Sequence, residues 1–98
     1  MVADVTLTKI KAAIRIHHTA LDDEIKSDIE ACKANLRAHG ILVTDESDPL
    51  IYSAIKLYCK AEYTDDVTKS AAYRDSYVSL RDSLKMAEGY GWEAEANE

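Results

Sequence analysis

The sequence predicts an all-α fold: a small four-helix bundle-like subunit with a short first helix and a flexible acidic C-terminal tail. Three observations predict it. The 98 residues include only three glycines and one proline, too few turn-formers for a β fold. Apolar residues recur at helical spacing in four separate runs. Residues that start or stop helices punctuate these runs, among them Asp48-Pro49, Gly40 and Gly89. A chain of this length builds one modest core, so residues 1–88 are read as a single domain and 89–98 as its tail.

The first helix is expected over residues 6–16, capped by Thr6 or Thr8, with Leu7, Ile10 and Ile14 on one stripe. It is too short to persist alone, so tertiary packing must hold it. His17-His18-Thr19 then interrupts the pattern. Adjacent histidines do not share a helix face, and only His39 stands elsewhere, so the donors for a metal site are missing.

A longer helix is expected over residues 19–39, with Thr19 as cap and Asp22, Asp23 and Glu24 set against the positive end of the helix dipole. Leu21, Ile25, Ile29, Cys32 and Leu36 form its core stripe. Lys26, Glu30 and Lys33 are assigned to a solvated face. Gly40 supplies the left-handed residue that ends the helix, and Ile41 folds back on it. Leu42 and Val43 either tuck into the bundle or mark a docking loop beside the acidic residues 45–48.

Residues 48–63 form the central helix, with Asp48 as N-cap and Pro49 at its first position. Leu50, Ala54, Leu57, Tyr58 and Ala61 fall on one side; Tyr52, Ile55 and Cys59 fall on the flanks. A helix that is apolar nearly all round is buried on more than one side. Its sibling helices are expected to cover part of it, and a second copy or another partner the rest, through Tyr52, Ile55 and Cys59.

The fourth helix is expected over residues 70–88, after a cap at Asp66 or Thr68, with Tyr73, Tyr77, Leu80, Leu84 and Ala87 facing the core. Beside that stripe runs a row of Arg74, Val78, Arg81 and Lys85, and next to it Asp75, Asp82 and Met86. Such rows are often merely solvated. In a head-to-tail assembly, one subunit's positive row meets its neighbour's negative one. The tail after Gly89 is acidic and carries Tyr90 and the only tryptophan, Trp92; both are read as anchors for a partner, the alternative being that Trp92 folds back on its own bundle.

Charge narrows the functional classes. Twelve basic against eighteen acidic residues give a net charge of −6, the reverse of a nucleic-acid grip, although an acidic wall can surround DNA without trapping it. No apolar run approaches the length needed to span a bilayer, and the N-terminus lacks a signal-peptide pattern. Cys32 and Cys59 have no CxxC spacing and read as reduced core-filling residues of an intracellular protein. Neither a nucleophile triad nor a glycine-rich phosphate loop is present, so no catalytic residue, metal or cofactor is expected. A small acidic helical regulatory module of the DNA-mimic or inhibitor type is the alternative. It would need an unbroken carboxylate surface, whereas Lys26, Lys33 and Arg37 interrupt the acids of helix two.

Four blocks in this order, TLTKIKAAIRI, DDEIKSDIEACKANLRAHGI, DPLIYSAIKLYCKAEY and AYRDSYVSLRDSLKMAEGY, resemble the small head–tail connector (adaptor) proteins of tailed bacteriophages over about residues 5–90. Residues 41–47 depart from the pattern, lacking the aromatic and Gly-Arg-Pro-like residues many relatives carry there. The resemblance implies a homo-oligomeric ring, dodecameric on the portal, made in the host cytoplasm and located in the virion neck. It implies a portal protein above, a stopper or tail-completion protein below, and an extended DNA channel between them. Its oligomer contacts would fall on Tyr52, Ile55, Cys59, Arg74, Asp75, Val78, Arg81, Asp82 and Lys85, and its portal-docking segment on Tyr90 and Trp92.

Overall fold

The computed structural model describes residues 2–91. Four helices follow one another: α1 (Asp4–Ala13), α2 (Asp22–Ala38), α3 (Pro49–Tyr63) and α4 (Val67–Met86). No strand occurs among the described residues. The all-α expectation holds.

α3 is the central rod. Asp48 caps it as expected, its side chain accepting from the N–H groups of Leu50 at 2.9 Å and Ile51 at 3.3 Å. α1, α2 and α4 all pack on it, and α4 rests chiefly there. Ile51, Ala54, Ile55 and Cys59 are completely buried, joined by Ile10, Ile25, Ile29, Cys32, Leu36, Ile41 and Leu84. Each fully buried Ile or Leu side chain contributes about 1.5–3 kcal/mol over its exposed state.

This burial corrects the expectation for α3. Its siblings approach from both sides, so the flank holding Ile55 and Cys59 is interior to the subunit and offers nothing to a neighbour. Tyr52, Leu57, Tyr58 and Tyr63 are half-buried against the same core. Leu50, 45% exposed, is the one large aliphatic residue of α3 left substantially open. The apolar excess of the third helix is met largely from within.

Helix ends depart from the sequence reading in instructive ways. α1 starts two residues early, at Asp4, and no side chain caps it. Thr6 is buried, while the Thr8 hydroxyl donates back to the Asp4 carbonyl at 2.9 Å. The N–H of Ala3, at the cap position, instead donates to the Glu46 Oε1 of the α2–α3 loop at 3.1 Å. α2 starts three residues late because the Thr19 carbonyl accepts the Asp22 N–H at 3.2 Å, closing a turn before the helix. Asp22 pairs with Lys11 at 2.7 Å, tying the start of α2 to the last turn of α1. α4 begins on Asp66, one of the two caps expected, which accepts the Lys69 N–H at 3.0 Å.

Two helices end in the same reverse turn. After α2, Gly40 has φ 87°, the Ile41 N–H donates to the Leu36 carbonyl at 3.0 Å, and the Gly40 N–H to Arg37 at 3.0 Å. After α1, Ile16 donates to Lys11 at 3.0 Å and Arg15 to Ala12 at 3.3 Å. Here the left-handed position is Arg15, at φ 59°. A Cβ there is strained by about 1–2 kcal/mol, less the chain entropy that glycine loses on folding. Arg15→Gly is therefore expected to raise stability by up to about 1 kcal/mol, read as a higher urea midpoint at unchanged slope.

Lys33 corrects a second expectation. Its place among the charged residues of α2 predicts a solvated side chain, yet that side chain is only 7% exposed. It lies one turn beyond Ile29, at the edge of the core stripe, and forms an ion pair and hydrogen bond with Glu46. Burial pushes the Glu46 carboxyl up, but Lys33, the Thr6 hydroxyl and the Ala3 N–H together hold it below the ordinary range. One carboxylate thus ties the N-terminal segment, α2 and the connecting loop together.

Candidate functional site

The surface left open lies mainly on α4. Only Tyr77 and Leu84 of its 20 residues are buried, with Tyr73 and Leu80 half-buried beside them. Val67 and Met86, near its two ends, are 84% and 85% exposed. Arg74 and Lys85 lie on the outside, as do Asp75 and Asp82. Among the described residues Arg74 has one ion-pair partner, Glu62, at 3.9 Å. Val78 is half-buried and packs against the core.

Arg81 does not belong to that open row. Its side chain is 16% exposed, its guanidinium lies 5.8 Å from the Tyr77 ring centre, and its Nη1 donates to the Asn35 Oδ1 at 3.1 Å. The Tyr77 hydroxyl donates to the same oxygen at 2.7 Å, and the Cys32 thiol meets that hydroxyl at 3.9 Å. Tyr58 completes the cluster, edge-on to Tyr77 with centroids 5.4 Å apart. Asn35 of α2 is therefore the shared acceptor that clamps α4. Nothing in the sequence singles it out, because a lone Asn on a helix face carries no signal of its partners.

A second open patch surrounds Tyr52. Its ring is flanked by the ammonium of Lys9 from α1, at 5.5 Å, and that of Lys56 from α3, at 5.7 Å. Neither lysine has an ion-pair partner among the described residues. Beside it, Val5, Thr6, Asp45, Pro49 and Tyr52 border a groove of about 660 Å³ between α1 and the α2–α3 loop. Val5 on this groove is 66% exposed. Tyr52 is a contact candidate from the sequence alone; the two lysines are not, since they come from separate helices.

Tyr90 is engaged within its own subunit. Its carbonyl accepts the N–H groups of Leu42 at 2.7 Å and Val43 at 3.3 Å. Its hydroxyl donates to Asp48 Oδ2 at 3.0 Å, so the end of the described chain secures the carboxylate that caps α3. Tyr90, half-buried, is thus held by its own subunit rather than belonging to the flexible tail, and its carbonyl ties the backbone of Leu42 and Val43 to it. Trp92 lies outside the described residues. Tyr90→Phe is expected to lower stability by about 1–2 kcal/mol, the worth of a hydrogen bond to a charged acceptor at a partly open site. Urea unfolding measures it.

Burial pushes the thiols of Cys32 and Cys59 up to about 12, keeping them protonated and poor nucleophiles. Tyr63 is raised as well, by burial and by donating to Asp28 at 2.5 Å. Among the described residues, no group of three or more His, Cys, Asp or Glu side chains is placed to hold a metal ion. Nor is any helix among them long and apolar enough to cross a membrane.

The geometry is thus that of a small helical subunit with an open outer helix and a basic, aromatic patch elsewhere. A family model described as phage connector protein matches residues 6–91. The chain belongs to that family. The match spans α2 to α4 and all but the first two residues of α1, and it includes Tyr90. No curated protein and no solved structure gives a significant match. As a phage head–tail connector, the protein is a structural component of the virion neck that assembles with other phage proteins.

Proposed function

We propose that this connector forms a homo-oligomeric ring, dodecameric when seated beneath the portal, that extends the DNA channel and completes the head for tail attachment. The observation that carries the reading is α4: a 20-residue helix with two buried side chains and exposed apolar residues near both ends. Much of this helix is left uncovered by its own subunit, and a subunit with heterologous contacts needs a second adhesive face. Its oligomer contacts are Tyr52, Arg74, Asp75, Val78, Asp82 and Lys85; Ile55, Cys59 and Arg81 are withdrawn, being used inside the subunit. The portal-binding segment is placed at Tyr90 and Trp92. A stopper or tail-completion protein takes the opposite rim. The net charge of −6 lets DNA pass without specific binding, and the subunit acts by geometry rather than by catalysis. Electron microscopy of the protein mixed with its portal tests this: ring density stacked on the portal is expected. No density on the portal and no self-association at any concentration would reject it.

A further inference from the structure

The structure also indicates which face of one copy meets which face of the next, an inference that rests on the ring reading above. We propose that the patch formed by Lys9, Tyr52 and Lys56 receives the Asp75–Asp82–Met86 face of α4 from a second copy of this chain.

Charge is the first argument. In a chain with more acids than bases, Lys9 and Lys56 converge on one tyrosine ring with no carboxylate paired to either among the described residues. Two cations drawn together in this way are left uncompensated by their own subunit. On α4, Asp75 is exposed without an ion-pair partner among the described residues, and Asp82 stays 65% exposed although it faces Arg81 at 3.8 Å. On the adjoining groove Glu46 is already paired with Lys33 and Asp45 accepts from Ser47, so Lys9 and Lys56 remain the charges of this face without an ion-pair partner among the described residues, opposite in sign to Asp75 and Asp82.

Spacing is the second. Asp75 and Asp82 are seven residues apart, two turns and about 10.5 Å along α4. The lysine ammoniums, at 5.5 and 5.7 Å from a common ring centre, cannot be much farther apart than that. The third argument is apolar. Met86 continues the acidic row one turn further and is 85% exposed. Beside the lysines, the groove of about 660 Å³ with exposed Val5 and half-open Tyr52 offers room for an unbranched, adaptable side chain. Because the two faces lie on different elements of one subunit, the contact is head-to-tail and repeats around a ring.

Charge reversal tests the pairing. Lys9→Glu with Lys56→Glu, and separately Asp75→Lys with Asp82→Lys, are each expected to raise the concentration needed for assembly on the portal more than about tenfold. Circular dichroism and the thermal midpoint are read alongside, and each variant should remain folded at the assay temperature, because Lys9, Asp75 and Asp82 are exposed and Lys56 is half-buried. An equimolar mixture of the two variants should assemble again, since every contact between unlike copies then restores opposite charges. Native mass spectrometry would show copies of the two variants alternating. Either pair assembling normally on its own, or a mixture that fails to recover, overturns the pairing while leaving the ring intact. If the lysine-reversed protein self-assembles without portal but no longer binds it, the patch belongs to the portal and the proposal falls. If the unaltered protein neither assembles nor binds portal, the ring reading fails, and this inference with it.

Discussion

Glu46→Ala is expected to destabilise the subunit by about 3–5 kcal/mol, a large share of the stability of a small domain. The substitution leaves Lys33, whose side chain is 7% exposed in the intact subunit, with no partner in the loop, and Glu30, at 3.5 Å and itself more open, is a weak substitute. It also strips the Ala3 N–H of its acceptor, so the segment before α1 loses its anchor. Removing both charges together, as Lys33→Met with Glu46→Leu, should recover most of the loss, because the penalty comes from the stranded charge more than from a missing attraction. Urea unfolding of the three proteins separates these cases. The same pair shapes the acid limb of stability. Glu46 has a folded-state pKa below its ordinary value of 4.5, so the folded chain binds fewer protons there than the unfolded chain. Its contribution is complete above that value and disappears as pH falls through the folded pKa. Between about pH 5 and pH 3 the urea midpoint of the native chain should therefore fall more steeply than that of Glu46→Gln.

How much of this is legible in the sequence follows from where each piece of chemistry sits. Asp48-Pro49, Gly40-Ile41 and Asp66 set helix boundaries through bonds to residues two to five positions away, so the local sequence displays them. Arg15 gives no such signal. Its left-handed backbone is imposed by the turn that brings Ile14 and Ile16 onto the core, and that packing offsets the strain a glycine would avoid. Lys33 is readable by position, one turn beyond Ile29, but its residue type points outward; the carboxylate that draws it inward lies 13 residues on, in a loop. For Ile55 and Cys59, periodicity gives the flank of the helix. It cannot say whether that flank meets α2 or solvent, because the angle around one helix does not fix where its neighbours stand. Tyr90 and the Lys9–Tyr52–Lys56 patch are invisible for the same reason, being made by elements far apart in sequence.

Arg74 and Arg81 stand seven residues apart on one helix, look equivalent in the sequence, and should behave oppositely when reversed to glutamate. Arg81→Glu is expected to cost about 2–4 kcal/mol. It removes the donor to Asn35 and the cation over the Tyr77 ring, and it sets a carboxylate with little access to water against the Asn35 oxygen and Asp82. Arg74→Glu should change monomer stability by less than about 1 kcal/mol, since its side chain is 61% exposed and its contact with Glu62 is long. Thermal unfolding of both variants, read beside assembly on the portal, tells internal clamp from open surface. For Arg81, lost assembly should track lost folding, and Arg81→Lys should recover only part of it, because a single ammonium cannot both reach Asn35 and lie flat on Tyr77. For Arg74, any loss of assembly should come with a fold intact. Were Arg81→Glu to melt like the unaltered protein, the Asn35 clamp would carry no weight and Arg81 would return to the outer face with Arg74 and Lys85. The helix would then offer a neighbour an unbroken basic row alongside its acidic one.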